Sequence, residues 1–567
     1  MSKTNFYCEE LGRAIEKRRT EFETGSMIER LWKKDYTIWR SEEAHKKSIL
    51  NRLGWLESVD LMQERRKDLT SFSEDVRKSG FTHAVVLGMG GSSLCPDVCR
   101  TTFGSAPGYP KLFVLDSTNP TSVHRIESSI SLEKTLFIVA SKSGGTTETN
   151  MFYRYFFEKV GKVRKGDAGP NFIAITDAGT QMEAEATEKK FRKVFINPSD
   201  IGGRYSALSF FGLVPMAVIG MDIGRILGAA QSMIASSRNH EIKINPAALL
   251  GVTLGEAWKG GKDKLTFVTS KKLESFAYWV EQLVAESTGK EGKGILPVEG
   301  EPHFDHNSTD RIFVFIRLHQ DDPGIDSLLG RLRSEGHPTV EIVLEDEYEL
   351  GGEFFRWEFA TAVAAVVMGI NPFDEPNVKE SKDNTVRVIE EFKKTGALPK
   401  QELLVSGSGV ELFCEPRYRE VLTAVGDDHS PAGLFDAHLG QCKRGHYVAL
   451  LAYLDQNEKN MRHLQALRGA IGEKTSCATT LGFGPRYLHS TGQLHKGGAA
   501  KGLFILLTAD EPSDCKIPGE PFSFEILKQA QAIGDYQSLA SRSLPILRIH
   551  LGKSIEAGLE TLRRFVD

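Results

Sequence analysis

The sequence predicts an α/β protein. Two doubly wound parallel-sheet domains follow a helical N-terminal region, and an extra C-terminal α/β region comes after them. Two observations carry this reading. The first is a series of short apolar runs from about residue 81: AVVLGMGGSS, KLFVLDS, KTLFIVASKSGG and NFIAITDAG. Each ends in Gly, Ser or Asp, as parallel strands do where they feed loops at one edge of a sheet. The second is a repeat of that pattern in TFVTS, RIFVFIRL and PTVEIVL, beyond a helical stretch near 225–260.

Taken in order, residues 1–80 are rich in Glu, Lys and Arg, with Ile28, Leu31 and Trp32, then Leu50, Leu53 and Leu56, at helical spacing. Residues 81–235 form the first sheet domain and 236–395 the second, with helices expected over 272–286 and 353–369. The most apolar run, Phe359–Ile370, is too short to span a bilayer and reads as a buried helix. Around 383–410 the chain turns polar and linker-like. The C-terminal region, 396–567, has strands expected at HYVALLAYL, GLFILLTAD and PILRIHLG. No short tandem repeat is evident.

Composition narrows the function. The chain has 567 residues, enough for roughly three or four domains, with 40% apolar and 26% charged residues. A net charge of −4 leaves no basic excess to follow a nucleic-acid backbone. Seven cysteines at scattered spacing do not form a disulfide framework, and Cys95 and Cys99 read as core or semi-exposed thiols. The N-terminus is too charged for a signal peptide, so a cytoplasmic, reducing location is expected.

Residues 266–290, TFVTSKKLESFAYWVEQLVAESTGK, read as a strand, an amphipathic helix and a stop at Gly289. Glu286 falls in the last turn, where the negative end of the helix dipole raises a carboxyl pKa, and is a candidate general base. Two turns are candidate phosphate sites. Gly88-Met89-Gly90-Gly91-Ser92-Ser93 follows one strand, and Gly91 and Ser92 offer close backbone approach and a hydroxyl donor. Ser141-Lys142-Ser143-Gly144-Gly145-Thr146-Thr147-Glu148-Thr149 follows another and sets five hydroxyls and a lysine at a helix start. Capping needs one or two hydroxyls. A dianionic phosphate uses hydroxyls, backbone N–H groups and the lysine together. Neither turn has nucleotide-loop spacing, so a small sugar phosphate fits better than ATP or NAD.

Together these segments resemble glucose-6-phosphate isomerases of the sugar-isomerase (SIS) fold. The likeness is closest to the isomerase portion of bacterial bifunctional transaldolase/glucose-6-phosphate isomerases, and no transaldolase portion is seen. Besides the two Gly- and Ser-rich turns, four segments carry it. GGRYS at 202–206 is similar to the family's GGR[FY]S. ESTGK at 286–290 is similar to the segment with the catalytic Glu. FDEPNVKESK at 373–382 is similar to FDQPxVExxK, which bears the catalytic Lys. HSTGQ at 489–493 is similar to HSxGQ, which bears the catalytic His. The resemblance implies isomerisation through an enediolate, with Glu286 as base, Arg204 as oxyanion stabiliser, and His489 and Lys382 as the ring-opening pair. It implies Ser141, Lys142, Ser143, Thr146, Gly91 and Ser92 at the phosphate, no metal and no cofactor. It also implies a homodimer, because the family's His comes from the neighbouring subunit. The substrate is a small sugar phosphate, with no nucleic acid or membrane partner. The alternatives are a non-catalytic sugar-phosphate-binding SIS protein and an isomerase that also accepts mannose 6-phosphate.

The sequence departs from the family at Glu375, usually Gln, and at Lys379, usually Glu. It also places Lys382 more than a hundred residues before His489, the reverse of the usual order. His306 fits the usual order better, but its flanking residues fit worse, and His489 is preferred.

Overall fold

A computed structural model describes residues 2–302, 308–319, 323–425 and 428–567. Three sheets organise the chain. The first orders its strands Lys111–Leu115, His83–Gly88, Thr135–Ala140, Phe172–Asp177, Lys193–Asn197, all parallel. The second runs Lys3–Tyr7, Thr339–Leu344, Arg311–Leu318, Lys264–Thr269, Leu296–Val298, parallel except for its first strand. The third adds an antiparallel hairpin, Leu403–Gly407 and Val410–Phe413, to four parallel strands: Ile546–His550, Gly502–Thr508, Tyr447–Tyr453 and Ala478–Phe483.

Strand periodicity explains how the layers meet. Ala84 and Val86 join a core shared with the N-terminal helices and the second sheet. Val85 and Leu87, on the opposite face, join Phe152, Phe156, Ile389, Phe524 and Leu527. That second core mixes residues of the first sheet region with residues from beyond 380, so the C-terminal region is packed against the first sheet. A further cluster joins Ala285 and Val298 to Leu451, Leu494 and Leu506. The helix that carries Glu286 is therefore also backed by the third sheet.

Two expectations need correction. The N-terminal region is not purely helical: Lys3–Tyr7 pairs antiparallel with Thr339–Leu344. Five residues, KTNFY, are too few to show a period, and their partner strand lies more than 300 positions away. The stretch expected to be a linker begins inside an 18-residue helix, Val378–Thr395, whose polar outer face hides buried Val388 and Ile389. The hairpin then follows directly. Strands Lys193–Asn197, Leu296–Val298 and Ala478–Phe483 were also not legible, being short or rich in Lys, Pro, Thr and Gly.

Candidate active site

In the first sheet the chain leaves His83–Gly88 for a strand on one side and then crosses to Thr135–Ala140 on the other. The carboxyl ends of these two neighbours form the crevice where ligands of such sheets bind. Both Gly- and Ser-rich turns lie there. Gly88 permits close approach, since a Cβ there would stand 3.2 Å from the carbonyl of Ala140. Gly91 is packed so tightly on the GGRYS segment that a Cβ would meet the Gly203 carbonyl at 1.9 Å. Ser92 is buried in the same turn.

The second turn opens the 17-residue helix Thr147–Val163 at Thr146, and no side chain caps its N-terminus. Ser141 Oγ and Thr146 Oγ1 are 3.0 Å apart. The Ser143 hydroxyl accepts a hydrogen bond from the Gly145 amide. Lys142 differs from the expectation. Its ammonium is held by Asp177 and by the Ser199 carbonyl at 2.8 Å, so what it offers at the turn is backbone. Ser143, Thr146, Lys382 and His489 line one cleft with a volume of about 260 Å³.

Arg204 is buried and joins three segments. Nε donates to Ser287 Oγ at 2.9 Å, Nη1 to Glu375 Oε2 at 2.9 Å, and Nη2 to the carbonyls of Pro372 and Asp374 at 2.7 and 3.0 Å. Nη1 also lies 3.6 Å from Glu286 Oε2. Most of its fixed donors are taken, so what it adds is positive charge beside Glu286; neither residue lines the cleft that holds Lys382 and His489. Burial opposes that charge, but Glu286 and Glu375 outweigh it and keep the guanidinium firmly protonated.

Glu286 sits at the end of helix Glu274–Thr288 and is 7% exposed. Its pKa is raised, as expected, but the leading cause is burial. The opposing pull of Arg204 is insufficient, and Glu375 pushes the pKa further up. The Gln282 amide donates to Glu286 Oε2 at 3.3 Å and to the His489 carbonyl at 2.7 Å, linking the two candidate residues.

His489 ends the turn Arg486–His489, which follows a strand of the third sheet. It reaches this cleft from the same chain. Its Nε2 lies 3.2 Å from Glu148 Oε1, and the Gln531 amide donates to the same oxygen at 2.7 Å. Burial favours neutral Glu148, but the charge and hydrogen bond of His489, with the charge of Lys382, hold its pKa below the usual carboxyl range. Gln493 clamps the remaining segments: its amide donates to the Gly289 carbonyl and to Asn377 Oδ1, both at 2.8 Å, and its carbonyl accepts the Asn377 amide. Lys382 projects from helix Val378–Thr395 and is exposed. His306 lies outside the described residues.

Sequence reasoning missed Glu148, Gln282 and Gln531. Glu148 was in view, inside a motif already singled out, but nothing local marks its partner. Gln282 lies one helical turn before Glu286, a spacing that places both on one face. Gln531 carried no signal.

Comparison with known proteins shows the family. Residues 56–315 match the family model of phosphoglucose isomerase. A glucose-6-phosphate isomerase of Prochlorococcus marinus (strain NATL2A) is 30% identical over 371 residues, 58% of this chain and 69% of that protein. The chain belongs to this family. A probable glucose-6-phosphate isomerase of Methanococcus maripaludis is 29% identical over 376 residues, 59% of this chain and 84% of that one. The crystal structure of a glucose-6-phosphate isomerase from Chlamydia trachomatis superposes with a TM-score of 0.51 at 21% identity, covering 62% of this chain and 76% of its own, a likeness of fold. Among the described residues of this isomerase-family chain, no helix is long and apolar enough to cross a membrane.

Proposed function

We propose that the protein interconverts glucose 6-phosphate and fructose 6-phosphate through an enediolate, with the chemistry carried by Glu286, Arg204, His489 and Lys382. One observation carries the reading: a buried Glu286, 3.6 Å from a fixed guanidinium, is tied through Gln282 to the turn that brings His489 to the cleft. Isomerisation needs a base that moves a proton between C1 and C2, and a raised carboxyl pKa makes Glu286 a stronger base than an exposed carboxylate. The charge of Arg204 favours the oxyanion that develops beside it. His489, held by Glu148, and Lys382 exchange protons with the ring oxygen and the anomeric hydroxyl to open the ring. Ser141, Ser143 and Thr146, with backbone of Lys142 at an uncapped helix start, take the phosphate. Gly91 and Ser92 support the same crevice from the neighbouring turn. No step in this scheme calls for a metal or cofactor.

A sugar-phosphate sensor would need the phosphate turn but not the Glu286, Arg204 and His489 constellation. Rejection of mannose 6-phosphate depends on how the cleft holds C2, and turnover of mannose 6-phosphate measures it directly. A cytoplasmic homodimer is the proposed form, tested by light scattering. In either oligomeric state, His489 reaches Glu148 within one chain. The reaction is tested by coupling glucose 6-phosphate formation from fructose 6-phosphate to NADP reduction in EDTA. Rapid turnover is the expected result; binding of fructose 6-phosphate with no turnover would sink the assignment.

A further inference from the structure

The helix Phe524–Ser541 belongs to the C-terminal region but lies against helix Val378–Thr395. Contact is close enough that a Cβ on Gly534 would stand 2.9 Å from the Thr385 amide nitrogen. Along this helix Gln531, Asp535 and Ser538 are 2%, 0% and 0% exposed. Their spacing of four and three residues puts them on one face. A buried polar stripe is costly unless every group finds a partner. Here the partners are the segments that carry the cleft. Gln531 holds Glu148, and its own carbonyl accepts from Thr118. Ser538 accepts from Asn384, two residues beyond Lys382.

Asp535 is the centre of the stripe. One carboxylate oxygen accepts from Lys496 Nζ at 2.7 Å and from Ser381 Oγ at 3.3 Å. The other accepts from Tyr487 Oη at 2.5 Å. Ser381 precedes Lys382 directly, and Tyr487 stands two residues before His489. A fully buried carboxylate needs its charge compensated, and the Lys496 ammonium, 1% exposed, does that. The two hydroxyls are then free to serve as struts to the two catalytic segments.

We propose that Asp535 is a positioning residue that fixes the His489 turn relative to the Lys382 helix, acting on ring opening and not on the enediolate step. The proposal rests on the assignment of His489 and Lys382 as the ring-opening pair. Its test is the double variant Tyr487→Phe/Ser381→Ala, which cuts both struts and leaves the Lys496–Asp535 pair intact. Asp535→Asn serves as a second probe. Wild type and His489→Ala are the references. With both struts cut, the double variant should lose roughly tenfold or more in kcat on fructose 6-phosphate. Its KM and its affinity for an open-chain phosphorylated aldonate, a mimic of the enediolate, should stay within about twofold, because Glu286, Arg204 and the phosphate turn are untouched. A merely structural role would instead lower the melting temperature with kcat per folded molecule unchanged, and that result overturns the proposal. A double variant with wild-type kcat while His489→Ala is impaired also overturns it. Full turnover by His489→Ala would remove the reading on which it stands.

Discussion

Replacing Glu286 by Gln separates catalysis from stability in opposite directions. The amide keeps the shape but cannot take a proton, so fructose 6-phosphate turnover should fall by about 10²–10⁴, or about 3–5 kcal/mol of transition-state stabilisation. The structure shows what else is lost. Arg204 keeps Glu375, Ser287 and two backbone carbonyls, so it is not left unpaired. The lost ion pair spans 3.6 Å, a direct attraction of about 4–5 kcal/mol at an effective dielectric near 20. That attraction is outweighed, because burial keeps the Glu286 pKa above the ordinary carboxyl value of 4.5. A carboxyl whose folded pKa is raised contributes stability below its unfolded pKa and loses it as pH rises through the folded value. Once ionised, the group therefore weakens the fold, and Gln does not. The expected outcome is near-complete loss of turnover, a melting temperature at pH 7 equal to or above wild type, and nearly intact fructose 6-phosphate binding by calorimetry. Substantial residual turnover would refute the assigned base. A markedly lower melting temperature would refute the electrostatic argument.

Other outcomes follow from the same geometry. His489→Ala should slow ring opening more than isomerisation of open-chain substrate; if His306→Ala does so instead, the assignment of His489 is wrong. Mixing the impaired Glu286→Gln and His489→Ala proteins should restore no activity, because His489 meets Gln282 and Glu148 of its own chain; recovery on mixing would show that the histidine crosses between subunits. Glu375→Gln, which installs the family's usual residue, removes a negative charge that raises the Glu286 pKa. The acid limb of its kcat/KM profile should therefore move to lower pH, and an unmoved or higher limb would contradict the coupling. Glu281, buried on the same helix, has its pKa pushed up to about 8 by burial and by Glu299. Its contribution to stability is thus present below 4.5 and lost as pH rises through about 8. Glu281→Gln should flatten the fall of melting temperature between about pH 4.5 and 8, and parallel curves for the two proteins would discount that carboxyl.

The sequence by itself determined the class of fold and, through its resemblance to a known family, the class of reaction. Strand runs ending in Gly and Ser and a helix closing on Glu286 gave the fold, because strand and helix periodicity and turn chemistry are local properties; the six short segments carried the resemblance. It also pointed to a raised Glu286 pKa, but from the helix end and not from the burial and the Glu375 charge that raise it. What only the tertiary structure decided depends on contacts between distant residues. His489 and Glu148 are 341 positions apart, and Gln531 and Glu148 are 383 apart; no spacing rule reaches so far. The N-terminal edge strand exists because the exposed edge at Thr339–Leu344 finds a partner in Lys3–Tyr7. The Lys142 ammonium turns to Asp177 because a carboxylate stands within reach on the next strand. Lys382 and His489 line one cleft despite the reversed order of their segments. The third sheet backs the Glu286 helix, and its Arg486–His489 turn thereby enters a cleft built by the first, so position in the chain ceases to matter once the layers are packed.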